Sequence, residues 1–250
     1  EFRTFAAVPP IDAGVTVIGV SGIDHRGYPV RAHRALRAAC LQPGAGESFS
    51  LSDTLMLRIE AAAARRPFVM LVRETAAAPD APAGLKPASG AFSIEFPSEA
   101  IARPLRLHGT PGDRVGLFEL REGKGWTCVG VPGRGDGHVP IGRPGTYAFF
   151  EDTLPPRIGP VRLETTPSPS GFFRATYCAV PVSDDGVGVD PWSASAFINA
   201  QRMVCEWDEY RKRLVIPVPV FLPAGPSVLA VEIADRAGNR SAAEYGFMLQ

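Results

Sequence analysis

The chain has 250 residues, of which 45% are hydrophobic, and its formal net charge is zero. This length can bury one large core or two to three small ones. Because the charge is balanced, the totals do not indicate a basic face for nucleic acid, and no nucleic-acid partner is expected. No apolar run approaches the roughly 20 residues that a membrane helix needs, so the chain is not expected to span a membrane. The 25 prolines and 26 glycines are spread along the sequence, which is typical of many short strands joined by turns.

The first predicted module covers residues 11–74 and is rich in β-branched residues that favour strands. Within it, the pattern at 28–41 is compatible with a strand and with a helix. A short helix is predicted for 52–66. Ser52 can cap it, an apolar stripe and four alanines follow, and Pro67 would end it.

Residues 75–89 are predicted to be a linker, because nearly all of them are Ala, Pro, Asp or Gly and such a composition buries little apolar surface. The second module, 90–152, begins with Phe92, Ile94 and Phe96 at alternate positions, the period of a strand with one solvated face. Further short strands between glycine-rich turns predict a small β-sandwich or barrel. Whether the first module packs on this one is left open by the sequence.

Pro155-Pro156 can neither continue a strand ladder nor form a helix, so one module ends before them and the last covers 155–250. Seven short strand candidates at roughly even spacing predict an immunoglobulin-like β-sandwich there. The chain as a whole is therefore predicted to be mainly β, with two to three small β-sandwich modules.

The cysteines are Cys40, Cys128, Cys178 and Cys205, and they form no C-x-x-C pair, so a structural zinc site is not expected. Cys178 and Cys205 fall in the last module and are the candidates for a disulfide in an exported protein. Four unpaired, half-buried thiols are the alternative.

Five stretches of the sequence together resemble one known protein family. They are VIGVSGID at 17–24, GTYAFFEDTLPPRI at 145–158, DDGVG at 184–188, FINA at 197–200 and DRAGNRS at 235–241. These stretches resemble the β-rich region that follows the catalytic domain in some bacterial lysostaphin-like (LytM-type) zinc endopeptidases of peptidoglycan. The resemblance implies a protein exported to the periplasm or the cell surface, with peptidoglycan or another protein as its partner.

The catalytic domain of that family binds zinc through a His-x-x-x-Asp pair and a distant His-x-His. The histidines here are His25, His33, His108 and His138, and none of them forms a His-x-His. The resemblance therefore implies a binding or scaffolding module without catalytic residues or cofactor, associated with a peptidase-like parent. The alternative is a fragment of an active zinc endopeptidase that lacks its catalytic domain.

A glycine-rich loop contains Arg134, Gly135 and Asp136, the tripeptide that host integrins recognise on loop tips. It predicts, as a further alternative, a surface adhesin that binds a host extracellular matrix protein. An inert turn is the simpler interpretation.

Acidic residues after residue 183 form a second candidate site. Asp184, Asp185 and Asp190, together with Asp235 and Asn239, carry oxygen ligands of the kind that calcium prefers. Their spacing lacks the form of an EF-hand loop, and Asx turns explain them without a metal. No metal is predicted, and calcium is kept as the alternative.

Trp207 and Tyr210 lie in the charged segment 206–213 and are candidate binding residues. An aromatic side chain on a loop can stack on a sugar or anchor a protein partner. The alternative is that one ring packs on its own module.

Overall fold

The computed structural model describes residues 14–23, 29–51, 55–74, 80–109, 112–132, 137–167 and 174–249. The chain divides into two units, Glu1–Glu151 and Asp152–Gln250. The prediction of a mainly β protein is confirmed, since the described residues form antiparallel sheets and contain no α-helix. In this described part, no helix has the length and apolar character needed to cross a membrane.

The strands of the first unit are mostly short. They are β1 (Gly14–Ile23), β2 (Pro29–Leu41), β3 (Glu47–Ser50), β4 (Met56–Ile59), β5 (Phe68–Glu74), β6 (Leu85–Pro87), β7 (Phe92–Glu95), β8 (Leu105–His108), β9 (Val115–Arg121), β10 (Gly125–Gly130), β11 (His138–Ile141) and β12 (Gly145–Asp152). A 3-10 turn at Ser98–Ala100 follows β7.

Two sheets make up the first unit. The larger has the order β1-β2-β5-β7-β12-β9-β10, with β6 also pairing with β12, and the smaller has the order β11-β8-β4-β3. Met70, Ile94 and Phe149 of the larger sheet share one apolar core with Leu57 and Leu107 of the smaller one. This core exists because every second side chain of a strand points to the same face.

The sequence left open how residues 11–74 relate to the second predicted module. In the structure, β5 pairs with β7 from Leu71↔Glu95 to Glu74↔Phe92, so strands on both sides of segment 75–89 belong to one sheet. Within that segment, Leu85 is buried and begins β6. Burial of Leu85 and the pairing of β6 with β12 connect this segment to the sheet.

The helix predicted for 52–66 is wrong. Met56–Ile59 forms strand β4, a turn follows, and Ala64 makes an isolated bridge to Ile101; residues 52–54 lie outside the described residues. Leu57 and Ile59 are buried whereas Met56 and Arg58 are exposed, a period of two. Pairing with β8 in the sheet outweighs the helix propensity of the alanines. The undecided segment 28–41 contains strand β2.

The described strands of the second unit differ widely in length. They are β13 (Arg157–Ile158), β14 (Arg162–Pro167), β15 (Arg174–Ser183), β16 (Val189–Ile198), β17 (Gln201–Met203), β18 (Glu206–Asp208), β19 (Arg213–Pro217), β20 (Gly225–Asp235) and β21 (Arg240–Leu249).

These strands also form two antiparallel sheets. One has the order β13-β15-β19-β18, with β14 also pairing with β15, and the other has the order β17-β16-β20-β21. Val180 and Leu214 of the first sheet and Ile198 and Val231 of the second belong to one core, so the unit is a β-sandwich. The strand order is compatible with an immunoglobulin-like domain, and that detail stays a prediction.

Candidate functional site

Three connections meet at one end of the second unit. They are the loop 184–188 between β15 and β16, the turn 209–212 between β18 and β19, and the loop 236–239 between β20 and β21. The N–H of Val182 donates to the carbonyl of Lys212 at 3.0 Å, and the N–H of Arg236 donates to the carbonyl of Gly188 at 2.9 Å. We call these three connections the loop end.

Three carboxylates converge at the loop end. Oxygens of Asp152, Asp184 and Asp235 lie within 4.8 Å of one another, and Asp152 and Asp235 are fully buried. We call these residues the carboxylate cluster. They are the described residues that could hold a metal ion in this unit, and a hard cation such as calcium suits an all-oxygen set.

Hydrogen bonds to the protein also account for this convergence. Asp152 accepts from the N–H of Leu154 at 3.0 Å and from the N–H of Val187 at 2.8 Å. One oxygen of Asp184 accepts from the N–H groups of Gly186 at 3.1 Å and Gly188 at 2.6 Å. The cluster therefore fixes the backbone of the 184–188 loop, whatever else it binds.

Asp235 and Asn239 close the third connection. Asn239 donates its backbone N–H to one oxygen of Asp235 at 2.9 Å and its side-chain amide to the other at 2.7 Å. The same amide donates to the backbone carbonyl of Asp152 at 3.0 Å. Gly238 has φ +89°, a conformation that favours glycine, which explains the glycine in this tight turn.

Gly186 allows the 184–188 loop to approach Asp152. A Cβ at this position would overlap the Asp152 carboxylate, so a larger residue could not occupy it without a shift of the Asp152 side chain or of the loop. The glycine and the buried carboxylate are therefore required together.

Burial and mutual repulsion change the acidity of the cluster. Burial raises the pKa of Asp152, and the nearby Asp235 raises it further. Burial likewise raises the pKa of Asp184, with Asp152 and Asp235 adding to the effect. Both carboxyls therefore hold a proton more tightly in the folded chain than in the unfolded one.

Of the acidic residues predicted from the sequence as a calcium alternative, Asp184 and Asp235 belong to the cluster. Asp185 forms an ion pair with Arg157 at 3.1 Å on the surface, and Asp190 accepts from the N–H of Trp192 at 3.3 Å. Sequence reasoning missed Asp152. Its local signal is an Asx turn before Pro155, which does not reveal a partner in a loop thirty-five positions away.

A bulge in β16 lies next to the loop end. Asp190 pairs with Ala234 and Ser195 pairs with Glu232, so residues 191–194 on β16 face a single residue, Ile233, on β20. Trp192 lies in this bulge and is 96% exposed. Bulges commonly redirect a side chain in this way.

Ser193 fills the gap that the bulge leaves in the ladder. Its hydroxyl accepts from the N–H of Ala234 at 2.8 Å and donates to the carbonyl of Asp190 at 2.7 Å. The serine thereby satisfies backbone groups that a regular strand would have satisfied. The conformation that exposes Trp192 is thus held by specific hydrogen bonds.

The structure separates the two aromatic residues predicted from segment 206–213. Trp207 is half-buried, packs against the core and donates from its indole N–H to Glu209 at 2.5 Å. Tyr210 lies in the turn between β18 and β19 and is 94% exposed. Trp207 is therefore accounted for by packing, and Tyr210 is available at the loop end.

Arg213 supports this turn from below. Its guanidinium donates to Glu164 at 2.6 Å and to Asp208 at 3.2 Å, and the Tyr177 hydroxyl donates to Glu164 at 2.7 Å. The network joins β14, β15, β18 and β19 across one sheet face. It stabilises the β18–β19 hairpin, whose turn carries Tyr210.

Cys178 and Cys205, the disulfide candidates, are both free thiols. Cys178 pairs with Ile216 on β19, and Cys205 directly precedes β18 on the other side of β19. Two interstrand spacings, roughly 10 Å, exceed the Cα separation that a disulfide spans. Burial raises the pKa of each thiol to about 11, so both stay protonated near neutral pH.

The tripeptide Arg134, Gly135 and Asp136 lies outside the described residues, and so does His25. No protein-family model matches the sequence, and a search of curated proteins finds no match. The site is therefore interpreted from its own geometry.

Proposed function

We propose that this chain is a non-catalytic binding module of a bacterial cell-envelope protein, exported to the periplasm or the cell surface and associated with a peptidoglycan-peptidase-like parent. The observation that supports the proposal best is the exposure of Trp192 on a hydrogen-bonded bulge beside the loop end. The expected partner is peptidoglycan or another envelope protein.

A tryptophan side chain is rarely exposed to solvent. Its burial removes a larger apolar area from water than the burial of almost any other side chain. Trp192 does not pack on its own unit, although the core residue Ile233 lies on the facing strand β20. The free energy of its burial remains available for a partner. Aromatic anchors of this kind dominate many interfaces and also stack on sugar rings.

The loop end also offers its contacts in a fixed arrangement. Tyr210 provides a second exposed aromatic ring, and the carboxylate cluster holds the 184–188 and 236–239 loops through backbone hydrogen bonds. A surface that is ordered before binding loses less conformational entropy when the partner arrives. Recognition by a preformed aromatic surface is therefore the function that this geometry supports best.

The tripeptide on which the host-matrix adhesin alternative depends lies outside the described residues. The buried thiols of the second unit have raised pKa values and are poor nucleophiles. The binding role is thus retained as the single proposal.

Cosedimentation of the purified chain with isolated peptidoglycan sacculi tests this proposal. We expect saturable binding that Trp192→Ala weakens about tenfold or more, because truncating an anchor residue commonly costs at least this much. Ser193→Ala should weaken binding less, since it loosens the bulge but keeps the ring. Tyr210→Ala should also weaken it.

Val220→Ala is the matched control, because Val220 is also 96% exposed but follows β19, away from the loop end. It should bind like the unaltered chain. Equal binding by Trp192→Ala and the unaltered chain would remove Trp192 as the anchor. Binding no stronger than that of an unrelated protein would remove peptidoglycan as the partner.

A further inference from the structure

The smaller sheet of the first unit has one buried face and one face toward solvent. Leu57 of β4, Leu107 of β8 and Val139 of β11 are buried in the core. Their neighbours along each strand are half-buried or exposed and lie on the opposite face.

Four basic side chains share that solvent face. The sheet register pairs His108 with His138 across β8 and β11, and Arg58 with Arg106 across β4 and β8. The two imidazole ring centroids are 5.4 Å apart. Because same-face residues of one strand are two positions apart, the arginine pair lies beside the histidine pair. We call these four residues the basic face.

The positive charge of the basic face is only partly balanced. Arg106 forms an ion pair with Glu60 at 2.8 Å, and Arg103 approaches the same carboxylate at 4.0 Å. Among the described residues, Arg58 has no carboxylate partner. The single carboxylate of Glu60 thus lies near both Arg106 and Arg103, and we expect the basic face to attract anions.

His108 carries a further sign of an unfilled contact. Its Nε2 is buried and has no hydrogen-bond partner among the described residues. Burial lowers the pKa of His108, and His138, Arg58 and Arg106 lower it further through their positive charge. A buried polar atom without a partner is unusual and needs an explanation. An anion on this face would accept from the imidazole and reduce the repulsion.

We propose that His108, His138 and Arg58 form a binding site for a phosphate group. Guanidinium and imidazolium groups both donate charge-assisted hydrogen bonds to phosphate oxygens, and the planar guanidinium can do so in a bidentate manner. Arg106 stays bound to Glu60 and borders the site. The site lies in the first unit and is independent of the function proposed for the second.

The affinity of this site depends on pH. The groups that surround the two histidines are Met56, Arg58 and Glu60 from β4 and its end, Ser48 and Ser50 from β3, Arg106 from β8 and Pro140 from β11. Bound phosphate favours the charged imidazole of His108, whose pKa is lowered from 6.5, so the affinity increases as the pH falls toward and below this value.

Nuclear magnetic resonance of the histidine side chains, with inorganic phosphate as the ligand, tests the proposal on the full chain. Phosphate is expected to raise the pKa of both His108 and His138. Arg58→Gln should weaken phosphate binding about tenfold, the effect of losing a charge-assisted hydrogen bond. Arg65→Gln removes an exposed arginine outside these strands and should leave the affinity unchanged.

Sodium chloride at the same ionic strength separates binding from screening. If chloride shifts the histidine pKa values as much as phosphate does, or if Arg65→Gln weakens phosphate binding as much as Arg58→Gln, the proposal is overturned. If Arg58→Gln does not fold, the comparison of phosphate with chloride on the unaltered chain alone tests the proposal.

Discussion

In the first unit, several aromatic side chains lie in the interior, where Tyr147, Phe149 and Phe150 are fully buried. In the second unit, the core consists mainly of aliphatic residues, and Trp192 and Tyr210 face solvent. Fully buried aromatic side chains thus stabilise the core of the first unit, whereas in the second unit Trp207, Tyr245 and Phe247 are only partly buried against the core. The comparison indicates that aromatic side chains form a larger part of the buried core in the first unit than in the second.

Buried charge differs between the units as well. Glu119 of the first unit is buried but lies between Arg121 at 2.9 Å and Arg143 at 3.1 Å. The buried carboxylates of the second unit adjoin one another and accept mainly from N–H groups of the backbone. Since repulsion within the carboxylate cluster depends on ionisation, the stability of the second unit should depend more strongly on pH.

The largest expected effect comes from removing one aromatic ring from each unit. Phe149→Ala should lower the free energy of unfolding by about 3–5 kcal/mol, because it leaves a cavity in the core. Trp192→Ala should change it by no more than about 0.5 kcal/mol, since the ring touches little of its own unit. Urea denaturation followed by circular dichroism measures both. A similar loss in the two variants would contradict the comparison.

A smaller loss is expected when a methyl group is added beside the carboxylate cluster. Gly186→Ala should destabilise the second unit by about 3 kcal/mol, because the new Cβ overlaps the Asp152 carboxylate. Gly246→Ala is the control, as a Cβ there meets open space on β21, and it should be neutral or slightly stabilising. Thermal unfolding of both variants is the measurement. Equal stability of the two would show that the loop can move away from Asp152.

The smallest effect is expected from removing one charge from the cluster. Asp184→Asn keeps an oxygen that can accept from both Gly186 and Gly188 and removes the repulsion with Asp152 and Asp235. We expect a gain of less than about 1 kcal/mol at neutral pH. Thermal unfolding measured as a function of pH tests this.

The sign of the pH dependence follows from the raised pKa values of Asp152 and Asp184. The stability that their protonation contributes is fully present below the unfolded pKa of 3.8 and is lost as the pH rises through the folded pKa. The gain in Asp184→Asn should therefore vanish toward about pH 4. Asp185→Asn, which alters only an exposed ion pair with Arg157, should behave like the unaltered chain at every pH. A loss of stability in Asp184→Asn at neutral pH would contradict the repulsion.

The β class of this protein could be predicted from sequence because it depends on local signals. Alternation at Phe92, Ile94 and Phe96 and the dispersed glycines and prolines report strands and turns directly. The segment 52–66 was misjudged for the same reason. Its alanines favour a helix locally, whereas pairing with β3 and with β8, some fifty positions later, makes β4 a strand.

The candidate binding-site residues were harder to predict from the sequence. Tyr210 was selected because it is an aromatic residue among charges, and it is exposed as a binding residue must be. The sequence did not predict the exposure of Trp192. The bulge that exposes it depends on the pairing of β16 with Ile233 and its neighbours on β20, and no residue near Trp192 in the sequence indicates this bulge. Asp152 was missed because its partners lie in distant loops.

By itself, the sequence determined the strand-rich character of the chain and the turn at 235–241, because side-chain alternation and turn residues act over a few neighbours. The tertiary structure alone decided which carboxylates converge, that Cys178 and Cys205 are separated by a strand, and which tryptophan faces solvent. These features depend on strand register and on contacts between residues far apart in the chain, which local patterns do not encode.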